Sequence, residues 1–282
     1  MHMQLMGSLL CLSLVMAWPV WAGWDEGIQA YKRGDYATAL REMRPLAEQG
    51  VAKAQFNLGL MYAKGQGVPQ DYAQAVQWFR KAAEQGLAEA QGLLGEMYAT
   101  GQGVAQDDAL AVQWFRKAAE QGETKAQTNL GAMYATGQGV AQDDAQAVRW
   151  FRKAAEQGVA KAQFNLGLMY AQGQGVAQNG ALAVQWFRKA AEQGNADAQF
   201  NLGLMYANGL GVSQDYQQGY FWLSLAAGNP SPGQIREDAV HNRDRNAARL
   251  TPAQLAAIQS RVRTWQPKPE TPVSIPIAGP GH

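Results

Sequence analysis

The chain repeats itself every 36 residues. Five consecutive copies open at Val51, Leu87, Glu123, Val159 and Asn195 with no slip in register, and the first reads VAKAQFNLGLMYAKGQGVPQDYAQAVQWFRKAAEQG. A period of this length is typical of solenoids, in which small supersecondary units stack on their neighbours and bury a continuous core. The sequence therefore predicts a tandem-repeat architecture.

Each copy encodes two helices joined by a glycine-rich turn. In the first copy, apolar residues recur at spacings of three and four over 52–63 and again over 72–85, which is the period of an amphipathic helix. The intervening GQGVPQ carries two glycines and a proline that end the first helix and turn the chain. Asp71, with Gln74 three residues later, predicts an N-cap for the second helix.

Two residue types recur inside these helices. A glycine returns in the first helix of every copy, at Gly59, Gly95, Gly131, Gly167 and Gly203. Because a mid-helix glycine costs about 1 kcal/mol relative to alanine, its recurrence predicts a tight helix crossing. A tryptophan returns in the second helix, at Trp78, Trp114, Trp150, Trp186 and Trp222. It either fills the gap between repeats, which we favour, or forms a row that stacks on a ligand.

The motif AQFNLGLMYAKGQGVPQDYAQAVQWFRKAAEQG resembles the Sel1-like repeat, a relative of the tetratricopeptide repeat with a longer inner loop. The resemblance covers residues 51–230 without gaps, and AYKRGDYATALREMRPLAEQG at residues 30–50 resembles the ordinary tetratricopeptide form. It implies an all-α, right-handed α-solenoid of helix-turn-helix repeats with helical caps at both ends. It also implies noncatalytic protein binding.

The resemblance and the composition divide the chain into segments. We expect a signal peptide (1–22), a tetratricopeptide-like hairpin (23–50), five repeats (51–86, 87–122, 123–158, 159–194, 195–230), a C-terminal helical cap (231–266) and a disordered proline-rich tail (267–282). In the cap, Thr251-Pro252 is a helix start signal. The stripe Leu255, Ile258, Val262 and Trp265 is expected to cover the last repeat.

Residues 1–22 predict export from the cytoplasm. An apolar run ends at Pro19, and Val20-Trp21-Ala22 resembles a cleavage site, so we expect cleavage between Ala22 and Gly23 and a periplasmic or secreted protein. Lipidation at Cys11 is the alternative, but Leu10 precedes it where a small residue is expected. Cys11 is the only cysteine, so the mature chain can form no disulfide.

Catalytic and metal-binding patterns are not found in the sequence. The three histidines are isolated, no serine has a lysine three residues later, and the formal charge of +1 offers no basic stripe for nucleic acid. We therefore expect no enzyme activity, no cofactor, no metal and no nucleic acid. The expected partner is a protein or peptide bound by a monomer.

In the tetratricopeptide family the first helices line the concave face, and the aligned positions give a candidate partner-binding site. Its members are Lys53, Phe56, Asn57, Leu60, Lys125, Asn129, Lys161, Phe164, Asn165, Leu168, Phe200, Asn201 and Leu204. The phenylalanines either line an apolar groove for a peptide or pack between helices. The Lys-x-x-x-Asn pairs, such as Lys125 and Asn129, are similar to a carboxylate clamp, because residues four apart share a helix face.

Two binding functions and one enzymatic function remain as hypotheses. The first is a scaffold for assembly of an envelope complex, and the second is a secreted factor that binds a host protein. The third is a cell-wall or β-lactam-interacting enzyme, which the missing nucleophile signatures argue against.

Overall fold

The computed structural model describes residues 23–229 and 234–269, and every regular element in these ranges is an α-helix. The helices are α1 (23–32), α2 (Tyr36–Glu48), α3 (Ala52–Lys64), α4 (Tyr72–Glu84), α5 (Ala88–Thr100), α6 (Asp108–Glu120), α7 (Thr124–Thr136), α8 (Asp144–Glu156), α9 (Ala160–Gln172), α10 (Gly180–Glu192), α11 (Ala196–Asn208), α12 (Tyr216–Gly228), α13 (Gln234–Ala247) and α14 (Pro252–Thr264). The predicted signal peptide lies outside the described residues.

The chain forms two compact units, which we call the N-terminal and C-terminal units. The N-terminal unit holds α1–α6 and reaches Glu123, and the C-terminal unit, Thr124–Ile277, holds α7–α14. In the N-terminal unit α3 packs on α4 and α5 on α6, and α2–α3 and α4–α5 join consecutive hairpins. The C-terminal unit pairs α7–α8, α9–α10 and α11–α12 in the same way.

Local sequence fixes where the helices begin and end. The Asp71 carboxylate accepts a hydrogen bond from the Gln74 backbone N–H at 2.9 Å, so the predicted N-cap of α4 is confirmed. The same role falls to Asp107, Asp143, Asn179 and Asp215. Helix α3 ends at Gly65, whose φ of +67° is a left-handed conformation that glycine adopts without steric cost.

The predicted tight crossing within each repeat is confirmed, and its partner is an aromatic ring. A Cβ placed on Gly59 would lie 2.7 Å from the ring of Phe79, too close for any real methyl group. The same clash would arise at Gly95 with Phe115, Gly131 with Phe151, Gly167 with Phe187 and Gly203 with Leu223. Glycine therefore lets the first helix lie directly on the ring of the second.

A ladder of buried glutamines joins the two helices of a repeat and, within each unit, joins a repeat to the preceding hairpin. Gln55 is buried in α3, donates from Nε2 to the carbonyl oxygen of Ala47 at 3.1 Å, and accepts at Oε1 from Nε2 of Gln85 at 2.7 Å. Gln91 pairs with Gln121 in the N-terminal unit, and Gln127 with Gln157 and Gln163 with Gln193 in the C-terminal unit. Because buried polar groups need hydrogen-bond partners, the glutamine pairs hold the two helices of one hairpin together, and the bond to Ala47 holds neighbouring hairpins in register.

Helices α13 and α14 pack on the last repeat. Ile258 is buried to 2% exposure, and Leu255, Val262 and Trp265 pack against the same apolar cluster, as the predicted stripe requires. The Thr251 hydroxyl accepts from the Gln254 backbone, and the Gln254 side chain accepts from the Thr251 N–H, which completes a capping box. The helices therefore cover the outward side of α12.

The start of the predicted disordered tail is placed against the protein. Residues 266–269, which we call the strap, follow α14, and the Lys268 backbone N–H donates to the carbonyl oxygen of Glu192 at 2.8 Å. The Lys268 ammonium also lies 2.7 Å from a Glu192 carboxylate oxygen. Residues 267–269 of the predicted tail meet the end of α10, which offers both an unused carbonyl and a carboxylate. Residues 270–282 of the predicted tail lie outside the described residues.

Candidate functional site

The candidate residues occupy one face of the first helix of each repeat, which we call the first-helix face. Of the candidates, Lys125 and Lys161 are exposed and the others are half-buried. In the N-terminal unit the face comprises Lys53, Phe56, Asn57 and Leu60 on α3. In the C-terminal unit it comprises Lys125 and Asn129 on α7, Lys161, Phe164, Asn165 and Leu168 on α9, and Phe200, Asn201 and Leu204 on α11. Thr128 on α7 is buried.

The phenylalanine rings of this face pack into the repeat core on one side. The Phe56 and Phe79 ring centroids are 5.8 Å apart, and the Phe164 and Phe187 centroids are also 5.8 Å apart. These are the same second-helix rings that cover the crossing glycines. Phe56 and Phe164 nevertheless remain half-buried, so each ring packs between helices and still presents apolar surface.

Phe200 differs because α13 reaches it. Phe200 packs with Val240 against the buried cluster of Ala226, Ala227 and Ala239, of which Ala239 belongs to α13. The first-helix face of the last repeat is therefore partly covered by the C-terminal helices. Within the C-terminal unit, the more open part of this face lies on α7 and α9.

In the predicted clamp pair of Lys53 and Asn57, the asparagine amide bonds to its own helix. The Asn57 amide donates to the Lys53 carbonyl oxygen at 2.8 Å, one turn earlier in its own helix, and Asn201 donates to Asp197 in the same way. An amide hydrogen that bonds to the helix backbone cannot donate to a ligand at the same time. On this face the lysine ammonium groups are the stronger donors to an anionic partner.

The recurring tryptophans fill the gap between repeats, as we favoured. Trp78 packs against the N-terminal cluster of Trp24, Leu46 and Leu58, and Trp186 packs against the main cluster of the C-terminal unit. In the first four repeats the ammonium of a lysine three residues later covers the ring, at 4.1 Å for Lys81 over Trp78. Lys117, Lys153 and Lys189 cover Trp114, Trp150 and Trp186 at 4.1–4.5 Å. Cation–π contacts therefore cover the faces of these four rings, and the rings do not form an accessible row on which a ligand could stack.

The carboxyl group of Asp35 has a shifted pKa, and it caps a helix. Hydrogen bonds from the side chain and backbone of Thr38 lower the pKa of Asp35, which caps α2. Among the described residues no group of three or more His, Cys, Asp or Glu side chains is placed to hold a metal ion. Within residues 23–229 and 234–269, no helix combines the length and apolar character that crossing a bilayer requires.

Comparison with known proteins identifies the repeat. The Sel1 repeat model matches residues 52–87, 88–123, 124–159, 160–195 and 196–229. A Sel1 repeat protein from Oxalobacter formigenes is similar at 37% identity and a TM-score of 0.69, covering 73% of this chain and 85% of that one. No curated protein sequence matches the chain.

A second solved structure is also similar. It is c5321, a protective antigen present in uropathogenic Escherichia coli strains that displays an SLR fold, at 35% identity and a TM-score of 0.72. The alignment covers 86% of this chain but 61% of c5321. These matches confirm the predicted repeat and the all-α solenoid class, whose members are generally noncatalytic protein-interaction scaffolds. The five consecutive repeats show that the chain belongs to the Sel1 repeat family.

Proposed function

We propose that this chain is a protein-binding scaffold and that its partner docks on the first-helix face of α7 and α9. The observation that supports this most is the half-buried apolar pair Phe164 and Leu168 on the helix that also carries the exposed Lys161. Apolar anchors with a charged rim are the usual composition of a protein interface.

The chemistry of this face indicates the chemistry of the partner. Lys161, Phe164 and Leu168 stand at positions i, i+3 and i+7 of α9 and so form one stripe along the helix. Lys125 adds a second exposed ammonium on α7. A partner segment with apolar side chains and nearby carboxylates would complement this stripe, and the charges would speed its association.

We further propose that the protein is exported and acts in assembly of an envelope complex. The support is the apolar N-terminal segment that ends in Val20-Trp21-Ala22. A second candidate is a secreted factor that binds a host protein. It is favoured by the similarity to c5321, a protective antigen, since an antigen of that kind must be accessible to the host.

Site-specific photo-crosslinking tests the proposed face. A photoreactive amino acid replaces Lys161 in the full chain, expressed in its own host, and a matched variant carries it at Gln185, which is exposed on the second helix α10. We expect a discrete crosslinked protein from position 161 and none from position 185. A crosslink from position 185 alone would place the partner on the second helices and contradict the proposal. Fractionation of the same cells separates a periplasmic from a secreted complex.

A further inference from the structure

The chain binds one of its own turns. The turn Glu192-Gln193-Gly194 joins α10 to α11, and the strap lies across it. The Lys268 backbone N–H and ammonium both bind Glu192, at 2.8 and 2.7 Å. The Pro267 ring lies 3.3 Å from where a Cβ on Gly194 would stand. The ligand seated on this turn is therefore an extended segment in which proline precedes lysine.

The chemistry of the turn explains this choice of ligand. The last carbonyl groups of a helix have no partner within the helix, and its C-terminus carries partial negative charge. The Glu192 carboxylate adds a full negative charge at the same place, so an ammonium and an N–H donor are both attracted. Gly194 has a φ of +90° and no side chain, so a proline ring can pack directly on its backbone.

The same turn occurs four more times. The tripeptide Glu-Gln-Gly recurs at 48–50, 84–86, 120–122 and 156–158. The glycine φ values there, +91° to +96°, match the +90° of Gly194. No neighbouring atom of the described chain stands within 4 Å of a Cβ placed on Gly50, Gly86 or Gly122. In all four turns the glutamate and glutamine are exposed, whereas Glu192 and Gln193 are half-buried beneath the strap.

We propose that each of the three turns at 48–50, 84–86 and 120–122, where nothing in the described chain covers the glycine, is a binding site for an extended segment of a partner protein in which proline precedes lysine. The sites are distinct from the first-helix face, so this proposal stands or falls separately from the proposed function. The strap shows the ligand on one of five turns with identical sequence and closely similar glycine conformation.

Each site is weak by itself. The Lys268 side chain stays 70% exposed in its ion pair, and exposed pairs contribute little to binding. The covered turn also holds Gln193 Oε1 buried without a hydrogen-bond partner, which opposes binding. A partner with several such segments would gain affinity by occupying several turns at once.

The test is a titration of the full chain with the capped peptide Trp-Gln-Pro-Lys-Pro, the sequence of residues 265–269, followed by NMR of the ¹⁵N-labelled protein. We expect saturable shifts at the backbone amides of the turn glycines Gly50, Gly86 and Gly122, and none at the loop glycine Gly101. A peptide with glutamate in place of lysine should bind about threefold to fivefold more weakly. The Glu84→Lys variant should lose the Gly86 response and keep the Gly122 response, which serves as a control for folding within the same molecule.

The strap itself supplies a second comparison. The Gly194 amide signal should not shift on addition of peptide to the natural chain, because the strap covers that turn. In the Lys268→Glu variant the Gly194 signal should shift like those of the other turn glycines. The proposal is overturned if no turn glycine shifts at peptide concentrations up to about 10 mM, or if the glutamate peptide binds equally well. The glycine signals are also followed as a function of protein concentration when no peptide is present. If they shift and the Lys268→Glu variant abolishes those shifts, the occupant of the turns is the strap of a second copy. That result would overturn the assignment to a separate partner.

Discussion

Asn229 stands where the other repeats have the glutamine that pairs across the hairpin, but it makes no such bond to its opposite residue, Gln199. One repeat earlier, Gln193 donates from Nε2 to Gln163 Oε1 at 2.8 Å and to the Gly158 carbonyl oxygen at 2.9 Å. Asn229 makes the equivalent of the second bond, to the Gly194 carbonyl oxygen at 3.3 Å. Gln199 Oε1 is consequently buried without a hydrogen bond. The missing bond follows from a side chain that is one methylene shorter.

Restoring this bond should stabilise the C-terminal unit. We expect Asn229→Gln to raise the free energy of unfolding by about 1 kcal/mol, because a buried acceptor gains its donor. The reciprocal change, Gln193→Asn, should lower it by about 1–2 kcal/mol, because Gln163 then loses its donor. Urea denaturation of both variants measures the two effects. Equal stability of both variants and the natural protein would show that the ladder does not stabilise the fold.

Alanine at two mid-helix glycines should have opposite effects. Gly167→Ala should destabilise the protein by about 1–3 kcal/mol, because the new methyl group would stand 2.7 Å from the Phe187 ring. Gly92→Ala should instead stabilise it by up to about 1 kcal/mol, since only the flexible end of Glu123 lies near. Thermal melting compares the two. Stabilisation by Gly167→Ala would contradict the tight crossing.

Reversing two charges on the first-helix face should weaken partner binding. We expect Lys125→Glu with Lys161→Glu to lower recovery of the crosslinked partner at least about tenfold, because like charges across an interface repel. Lys117 and Lys153 are unsuitable controls, since they cover tryptophan rings.

The matched control for this prediction introduces two carboxylates on second helices, as Gln113→Glu with Gln185→Glu, at positions that are exposed. Helical circular dichroism should be unchanged in both double variants. A loss of partner in the control but not in the lysine variant would move the interface to the second helices.

The C-terminal helices should be needed for solubility. Deleting residues 231–282 uncovers Phe221 and Leu225, which lie in the outward positions that Gln185 and Lys189 hold one repeat earlier. We expect this truncation to aggregate, because a large apolar patch reaches solvent. Deleting only 270–282 keeps α13, α14 and the strap, and it should leave size-exclusion behaviour and melting unchanged. Similar behaviour of the two truncations would refute the capping role.

Export should leave a defined amino terminus. We expect the protein recovered from the periplasm or the medium to begin at Gly23, because Ala22 ends the small-residue cleavage motif. N-terminal sequencing measures this. A retained Met1 would contradict export through this segment.

The repeat and its helices were predictable from the sequence because they depend on local and periodic properties. Asp71 caps α4 through a bond to a residue three positions away, and helix periodicity placed Gly59 on the packed side of α3. The first-helix face could also be assigned, since all of its candidate residues are half-buried or exposed. The sequence carried a further signal that we did not use: Phe221 and Leu225 replace polar residues of the repeat, which indicates a covered surface.

Tertiary structure alone decided which partner each side chain meets. Gln193 and the Gly158 carbonyl oxygen are 35 residues apart and bond only because consecutive hairpins stack in register. Phe200 repeats Phe164 in sequence but is covered by α13, and Lys268 lies in a segment without periodicity yet binds Glu192, 76 residues away. Periodicity determines which face a residue occupies. The neighbour that reaches that face depends on contacts between distant segments, and no local pattern encodes those contacts.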